Sequence, residues 1–241
     1  MLRAFACALL FLTRVPLPKL ELDARDMARS AAFFAWIGGL FALCGWGCSL
    51  LTPHFGVRTA ALLAVLSWVA LSGGLHLDGL ADTVDGFSGG RGERARVLEI
   101  MRDSRIGAHG ALALVLLIGL KWTALERALE LHGHAWLMAP IAARFACTLL
   151  LAWFPYAREQ GLGSAFAEAV HWPSLVSGAL AVSLAGFALG PGAPHAALWA
   201  VASALGLAWL AQRRLGGLTG DVYGATIELA ELAALLAASA R

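Results

Sequence analysis

The chain has 241 residues, of which 59% are hydrophobic and 14% charged, and its formal net charge is +2. A soluble domain averages roughly 45–50% apolar and about 25% charged, and the mean hydropathy of +0.72 points the same way, so a soluble globular domain is excluded. So small a net charge offers no surface for nucleic acid.

The N-terminus looks like a signal peptide, with Arg3 ahead of an apolar run over residues 4–12. The run is short, however, and Thr13-Arg14-Val15-Pro16-Leu17-Pro18 follows in place of a small-residue cleavage site. Leu2, Phe5, Leu9 and Leu12 fall on one helical stripe. The expectation is a short helix lying in the membrane interface.

Seven apolar stretches follow, at about 30–51, 57–75, 107–125, 135–154, 174–190, 195–211 and 222–239, each near the length of about 20 residues that a bilayer's hydrocarbon core demands. The expected fold is an all-α polytopic membrane protein with about seven transmembrane helices behind the interfacial one, a single integral membrane domain over 1–241. Pro191-Gly192-Ala193-Pro194 predicts a tight turn between the fifth and sixth spans, and Glu228 and Glu231 make the last span the least apolar. Cys7, Cys44, Cys48 and Cys147 sit in apolar surroundings and read as small packing residues, with no disulfide framework.

Lys and Arg set the orientation. With the N-terminus inside, the inner segments hold Arg3, Arg14, Lys19, Arg25, Arg29, Arg91, Arg94, Arg96, Arg102, Arg105, Arg158, Arg213 and Arg214. The outer segments hold Arg58, Arg127 and Arg241, while Lys121 and Arg144 fall within spans. The longest connecting segment, about 76–106, is thereby cytoplasmic and carries the densest ionisable cluster.

That cluster opens with Gly73-Gly74-Leu75-His76-Leu77-Asp78-Gly79-Leu80-Ala81-Asp82-Thr83-Val84-Asp85-Gly86. Asp78, Asp82 and Asp85 are spaced i, i+4, i+7 and fall within roughly 60° of one helix face. Three carboxylates at a low-dielectric membrane edge need neutralising, and hard divalent cations with oxygen ligands do this best. Such ions can clamp a diphosphate and activate an attacking oxygen. A solvated acidic helix end is the plainer reading. Next comes Met101-Arg102-Asp103-Ser104-Arg105-Ile106-Gly107, in which Arg102 and Arg105 could bind phosphate bidentately and Asp103 could add a metal ligand. The plainer reading here is positive-inside anchoring. The third cluster is Gly216-Gly217-Leu218-Thr219-Gly220-Asp221-Val222-Tyr223-Gly224, then Glu228. Asp221 and Glu228 share a face, and a carboxylate inside a span, at about 2.5–3.5 kcal/mol, is functional by default. Lys121 and Arg144 are equally costly; they are substrate contacts or counter-charges in a structural ion pair. His76 and His109 flank the acidic clusters and could touch substrate. The residues by themselves give a membrane enzyme with a metal-dependent phosphate site, and leave open a transporter with intramembrane carboxylates.

At these motifs, and at Phe11-Leu12-Thr13-Arg14-Val15-Pro16, the chain resembles the cobalamin synthase family, the adenosylcobinamide-GDP ribazoletransferases, over nearly its whole length. The resemblance implies the last step of nucleotide-loop assembly in vitamin B12 synthesis. In that step a hydroxyl of α-ribazole, or of its 5′-phosphate, attacks the cobinamide-bound phosphate of adenosylcobinamide-GDP and GMP leaves. It implies a Mg²⁺ cofactor held by Asp78, Asp82 and Asp85, with Asp103 as a further candidate ligand. It also implies Arg102 and Arg105 on the diphosphate, and His76, Lys121, Arg144, Asp221 and Glu228 about the substrate. The setting it implies is the bacterial inner membrane, the site facing the cytoplasm, with lipid as a partner and homo-oligomers left open. Many members of the family carry Glu where this chain has Leu77, so no ligand role carries over there. The runner-up resemblance is to CDP-alcohol phosphotransferases, through the Asp82-x-x-Asp85-Gly86 start of their signature; the rest of that signature is not found at the expected spacing.

Overall fold

The protein is described by a computed structural model over residues 1–18, 20–158 and 172–240. Lys19 and Arg241, counted in the charge reading, lie outside the described residues. The fold is all-α, with seven helical segments long and apolar enough to cross a membrane. Helix α1, Leu2–Leu12, precedes them. The first span, Ala24–Ser49, joins α2 (Ala24–Ser30) to α3 (Phe34–Ser49) through one 3-10 turn. Then come α4 (Thr52–Ser72), the two shorter helices α5 (Leu75–Gly89) and α6 (Arg94–Ile100), and the spans α7 (Ala108–Glu130), α8 (Met138–Trp153), α9 (Trp172–Leu189), α10 (Gly192–Leu215) and α11 (Gly220–Ser239). The seven expected spans are all present. The first starts six residues earlier than hydropathy suggests, because Asp23 and Asp26 form a capping box that starts α2 within polar sequence.

α1 packs against α2 and α3 with a face that keeps Leu9 and Leu12 of the predicted stripe but not Leu2 and Phe5. Ala4, Cys7, Ala8, Leu9 and Leu12 are buried, whereas Leu2 and Phe5 are exposed. Ala4, Cys7 and Ala8 let α1 lie close to the bundle, Leu9 and Leu12 pack in beside them, and Leu2 and Phe5 face outward.

Small residues also set the bundle's interior. With no hydrophobic drive between helices in lipid, close backbone approach is what holds them. α8 is central, buried almost throughout from Met138 to Leu151. Gly38 of α3 meets it so closely that a Cβ there would lie 2.6 Å from the Ile141 Cα. α10 presents Ala193, Ala196, Ala200, Ala204, Ala208 and Ala211 as one buried seam.

The stretch expected as a loop at 76–106 is mostly helical. α4 ends on Gly73 and α5 starts from Gly74, both left-handed (φ 62° and 74°), a conformation that costs glycine least. The N-terminal segment docks at this break, where the Arg14 amide donates to the Leu71 carbonyl at 2.8 Å. α5 then packs against α11 and α7. The remaining connections on this face are tied together: Tyr156 and Leu218 form a parallel bridge, Arg94 donates to the Ala157 carbonyl at 2.9 Å, and Arg214 to the Phe87 carbonyl at 2.8 Å. With seven spans, the N-terminal segment, α5–α6, residues 154–158 and the 216–219 turn gather on one side, and the C-terminus ends on the other.

Candidate active site

The three sequence motifs meet where α5 crosses the start of α11. The crossing depends on glycine: a Cβ on Gly79 would lie 2.7 Å from the Asp221 carbonyl oxygen, and one on Gly224 would lie 3.2 Å from the His76 Cα. Thr219 starts α11, its hydroxyl accepting from the Val222 amide. This brings Asp221 against the carboxylate face of α5.

An open cleft of about 960 Å³, solvent mouth included, is walled by Asp78 and Asp82 on one side and by Arg102, Asp103 and Ser104 on the other. Asp82 is half-buried. Burial pushes its carboxyl up to about 7, helped by the charges of Asp78, Asp221 and Asp85, and Arg158 offsets this only in part. Arg158 donates to Asp221 at 2.8 Å, and its buried Nε has no partner among the described residues. Across the cleft, Arg102 is exposed and makes no ion pair among the described residues. Arg105 instead forks onto Asp103, at 3.0 Å from Nε and 2.6 Å from Nη2. These hydrogen bonds hold the Asp103 carboxyl down to about 2.

Asp85 plays a second part that its spacing did not announce. Its two oxygens accept from the amides of Gly107, at 2.7 Å, and Gly110, at 2.8 Å. It therefore anchors the N-terminus of α7, where a carboxylate meets unpaired amides and the positive end of the helix dipole. Gly107 and Gly110 leave the space that its carboxylate fills.

The intramembrane charges form a different assembly. Lys121 donates to Glu228 at 2.6 Å and to Glu231 at 2.5 Å. Arg144 pairs with Glu231 and lies over the Phe41 ring at 3.9 Å. All four are buried, so two cations and two carboxylates match in charge among α7, α8 and α11, although the Arg144 Nε has no partner among the described residues. His76 is buried against α11, and its Nδ1 has no partner among the described residues. None of His76, Lys121, Arg144 and Glu228 lines the carboxylate cleft.

Comparison with known proteins decides the family. The model of the cobalamin-5-phosphate synthase family matches residues 4–239. The chain belongs to the cobalamin-5-phosphate synthase family. Its relatives include an adenosylcobinamide-GDP ribazoletransferase of Klebsiella pneumoniae, 43% identical over 98% of this chain and 99% of the relative. Others of that name come from Roseiflexus, at 42% over 95% and 86%, and from Pseudomonas fluorescens, at 41% over 96% and 97%. No solved structure matches.

Within this member of the cobalamin-5-phosphate synthase family, Leu77 lies on the inner wall of the cleft one residue before Asp78. Sequence reasoning passed over two residues. Arg158 was counted only as a topology charge, yet it is the cation that meets Asp221. Glu231 was noted only for weakening a span, yet it bridges both buried cations. Its signal was available: Glu228 and Glu231 are one turn apart in a span that also faces two unexplained cations.

Proposed function

We propose that this protein joins α-ribazole, or its 5′-phosphate, to adenosylcobinamide-GDP and releases GMP, with the cleft between α5 and Arg102 as the active site. The observation that carries the placement is the cleft's charge pattern: surplus carboxylates on one wall and, on the other, a guanidinium with no ion pair among the described residues. Family membership and the names of the relatives support the reaction.

The reaction forms one bond from a ribazole hydroxyl oxygen to the cobinamide-linked phosphorus. It breaks the P–O bond to the second phosphate, which departs on GMP with the electron pair. Such transfers depend on positioning and charge neutralisation rather than on a covalent intermediate. Arg102 binds the diphosphate and steadies the departing phosphate, its planar fork matching two oxygens at once. Ser104, beside it, can donate to the same group.

Mg²⁺ fits the donor set. Asp78 and Asp82 would hold it, with Asp221 and Asp103 at the edges of the same space, and Asp85, on α5 but bonded to the start of α7, adding negative charge. The raised Asp82 carboxyl marks negative charge that Arg158 leaves unbalanced, which is what a divalent cation relieves. Among the described residues no three His, Cys, Asp or Glu side chains already converge on one point, so closing on the ion asks side chains to rotate. When bound, Mg²⁺ would neutralise diphosphate charge. The hydroxyl proton goes to a carboxylate oxygen of the cluster.

The setting we propose is the bacterial inner membrane with the site facing the cytoplasm. Supporting it, Arg14, Arg91, Arg94, Arg96, Arg102, Arg105 and Arg158 all lie on the site's side of the bundle. Against a transporter, the intramembrane carboxylates are matched charge for charge by Lys121 and Arg144.

The test is GMP release by the purified full chain in detergent, given adenosylcobinamide-GDP and α-ribazole, with Mg²⁺ and with chelator. Mg²⁺-dependent GMP formation matched by loss of the ribazole is expected. GMP release without ribazole consumption would mean hydrolysis and would overturn the transfer.

A further inference from the structure

A second concave surface lies behind α5, on the same side of the membrane as the carboxylate cleft. Leu80, Val84 and Phe87 on the far flank of α5 face Leu207 and Leu210 of α10 and Leu229 of α11. They enclose an open groove of about 840 Å³, mouth included. No residue lines both this groove and the carboxylate cleft.

Three features give the groove a polarity. Arg214 stands at its mouth, over the Phe87 ring at 4.9 Å and donating to the Phe87 carbonyl. Arg213, beside it in the last turn of α10, lies over the Trp209 ring at 3.9 Å. Both guanidiniums are exposed, and among the described residues neither has a carboxylate partner. Trp209 is itself 54% exposed, as a side chain at the membrane–water boundary is. Finally, Thr83 lines the groove at 2% exposure, and its hydroxyl has no partner among the described residues, although buried hydroxyls nearly always find one.

We infer that this groove binds an anionic phospholipid from the leaflet on the site's side. The leucines take an acyl chain, Arg213 and Arg214 take the phosphate, and the Thr83 hydroxyl donates to an ester oxygen of the glycerol. Charge complementarity selects an anionic headgroup, and basic pockets between helices at a membrane face are suited to one. A soluble anion would use the arginines but leave the leucine-lined groove and Thr83 unanswered. The lipid would brace the back of the helix whose front carries Asp78 and Asp82.

The full chain, delipidated in detergent, would be titrated with phosphatidylglycerol or with phosphatidylcholine of the same acyl chains, and bound lipid counted by native mass spectrometry. Phosphatidylglycerol should bind at least about tenfold more tightly, a difference of about 1.4 kcal/mol. The doubly substituted Arg213→Gln, Arg214→Gln protein should lose that preference. Leu210→Trp, which fills the groove and keeps both charges, should lower the binding of both lipids. Equal binding of the two lipids by the parent, or unchanged phosphatidylglycerol binding in the arginine variant, overturns the site. If inorganic phosphate displaces phosphatidylglycerol at millimolar concentration, the site is one for a free anion and the lipid assignment falls. Should Leu210→Trp fail to fold, the exposed arginine pair and the phosphate competition still decide.

Discussion

Asp221 and Glu228 stand seven residues apart on α11, a rise of about 10 Å, and they belong to regions built in opposite ways. Around Glu228 the charges are matched: Lys121 and Arg144 meet Glu228 and Glu231 in a closed, buried set. Around Asp221 they are not: Asp78, Asp82 and Asp221 crowd together with Arg158 as the nearest offset. In a low-dielectric interior an unmatched charge is costly, so a protein keeps one only where something else arrives to complete it. Matched charge therefore marks scaffold and surplus charge marks a site, even when both use the same residue types on the same helix.

The largest effect should come from removing the surplus. Asp78→Ala and Asp82→Ala should insert and fold normally yet lose at least about 1000-fold in GMP release if they hold the proposed metal, because such an ion would supply several kcal/mol of transition-state stabilisation. Near-normal turnover by both would break the contrast, because the crowded carboxylates would then serve no chemistry.

Removing one partner from the matched set should do the reverse. Glu231→Ala leaves Lys121 and Arg144 sharing one carboxylate, and breaking a buried pair costs about 3–5 kcal/mol. The expected result is a large fall in thermal unfolding temperature in detergent, with the turnover of the folded fraction nearly kept. A stable protein with lost turnover would move Glu231 into the site.

Much of this architecture was legible in the sequence, because span length and charge asymmetry are direct physical demands of a bilayer. The seven spans and the acidic face of α5 follow from periodicity and hydropathy. What periodicity could not supply was the partner of each charge. Asp78, Asp82 and Asp85 look equivalent at i, i+4, i+7, yet Asp85 is turned onto the amides of Gly107 and Gly110, more than twenty residues away. Arg102 and Arg105 look equivalent one turn apart, yet Arg105 folds back on Asp103. Glu228 reads as functional from its cost alone, and only tertiary contact with Lys121 shows where that cost is met.

The two arginines sharpen the contrast at a smaller scale. Arg102, unpaired and in the cleft, should not tolerate lysine, because an ammonium lacks the planar fork. Arg102→Lys should lower GMP release about 10- to 100-fold, in line with about 1.5–3 kcal/mol for a hydrogen bond to a charged group. Arg105→Lys should lose much less, since its present partner is Asp103 at an exposed edge. The reverse order would place the diphosphate on the Arg105 side.

The smallest effect is the most direct reading of surplus charge, because it needs no substrate. The Asp82 carboxyl is raised from 3.8 to about 7. Between those values the folded cation-free protein keeps a proton that the unfolded chain has released, so stability declines as pH rises through that window and levels off above it. Asp82 is half-buried and solvent screens its neighbours, so the decline should be about 1 kcal/mol. At the proposed site Mg²⁺ would compete with that proton. It should therefore raise the unfolding temperature more at pH 8 than at pH 5.5, since a ligand of the folded state stabilises according to its affinity there. Asp82→Asn should flatten both the pH slope and the Mg²⁺ increment, whereas Glu231→Gln should lower stability at every pH and leave the Mg²⁺ increment in place. If Asp82→Asn keeps the parent's slope, the excess negative charge resides elsewhere, and Asp221, whose arginine can swing away, is the next group to neutralise.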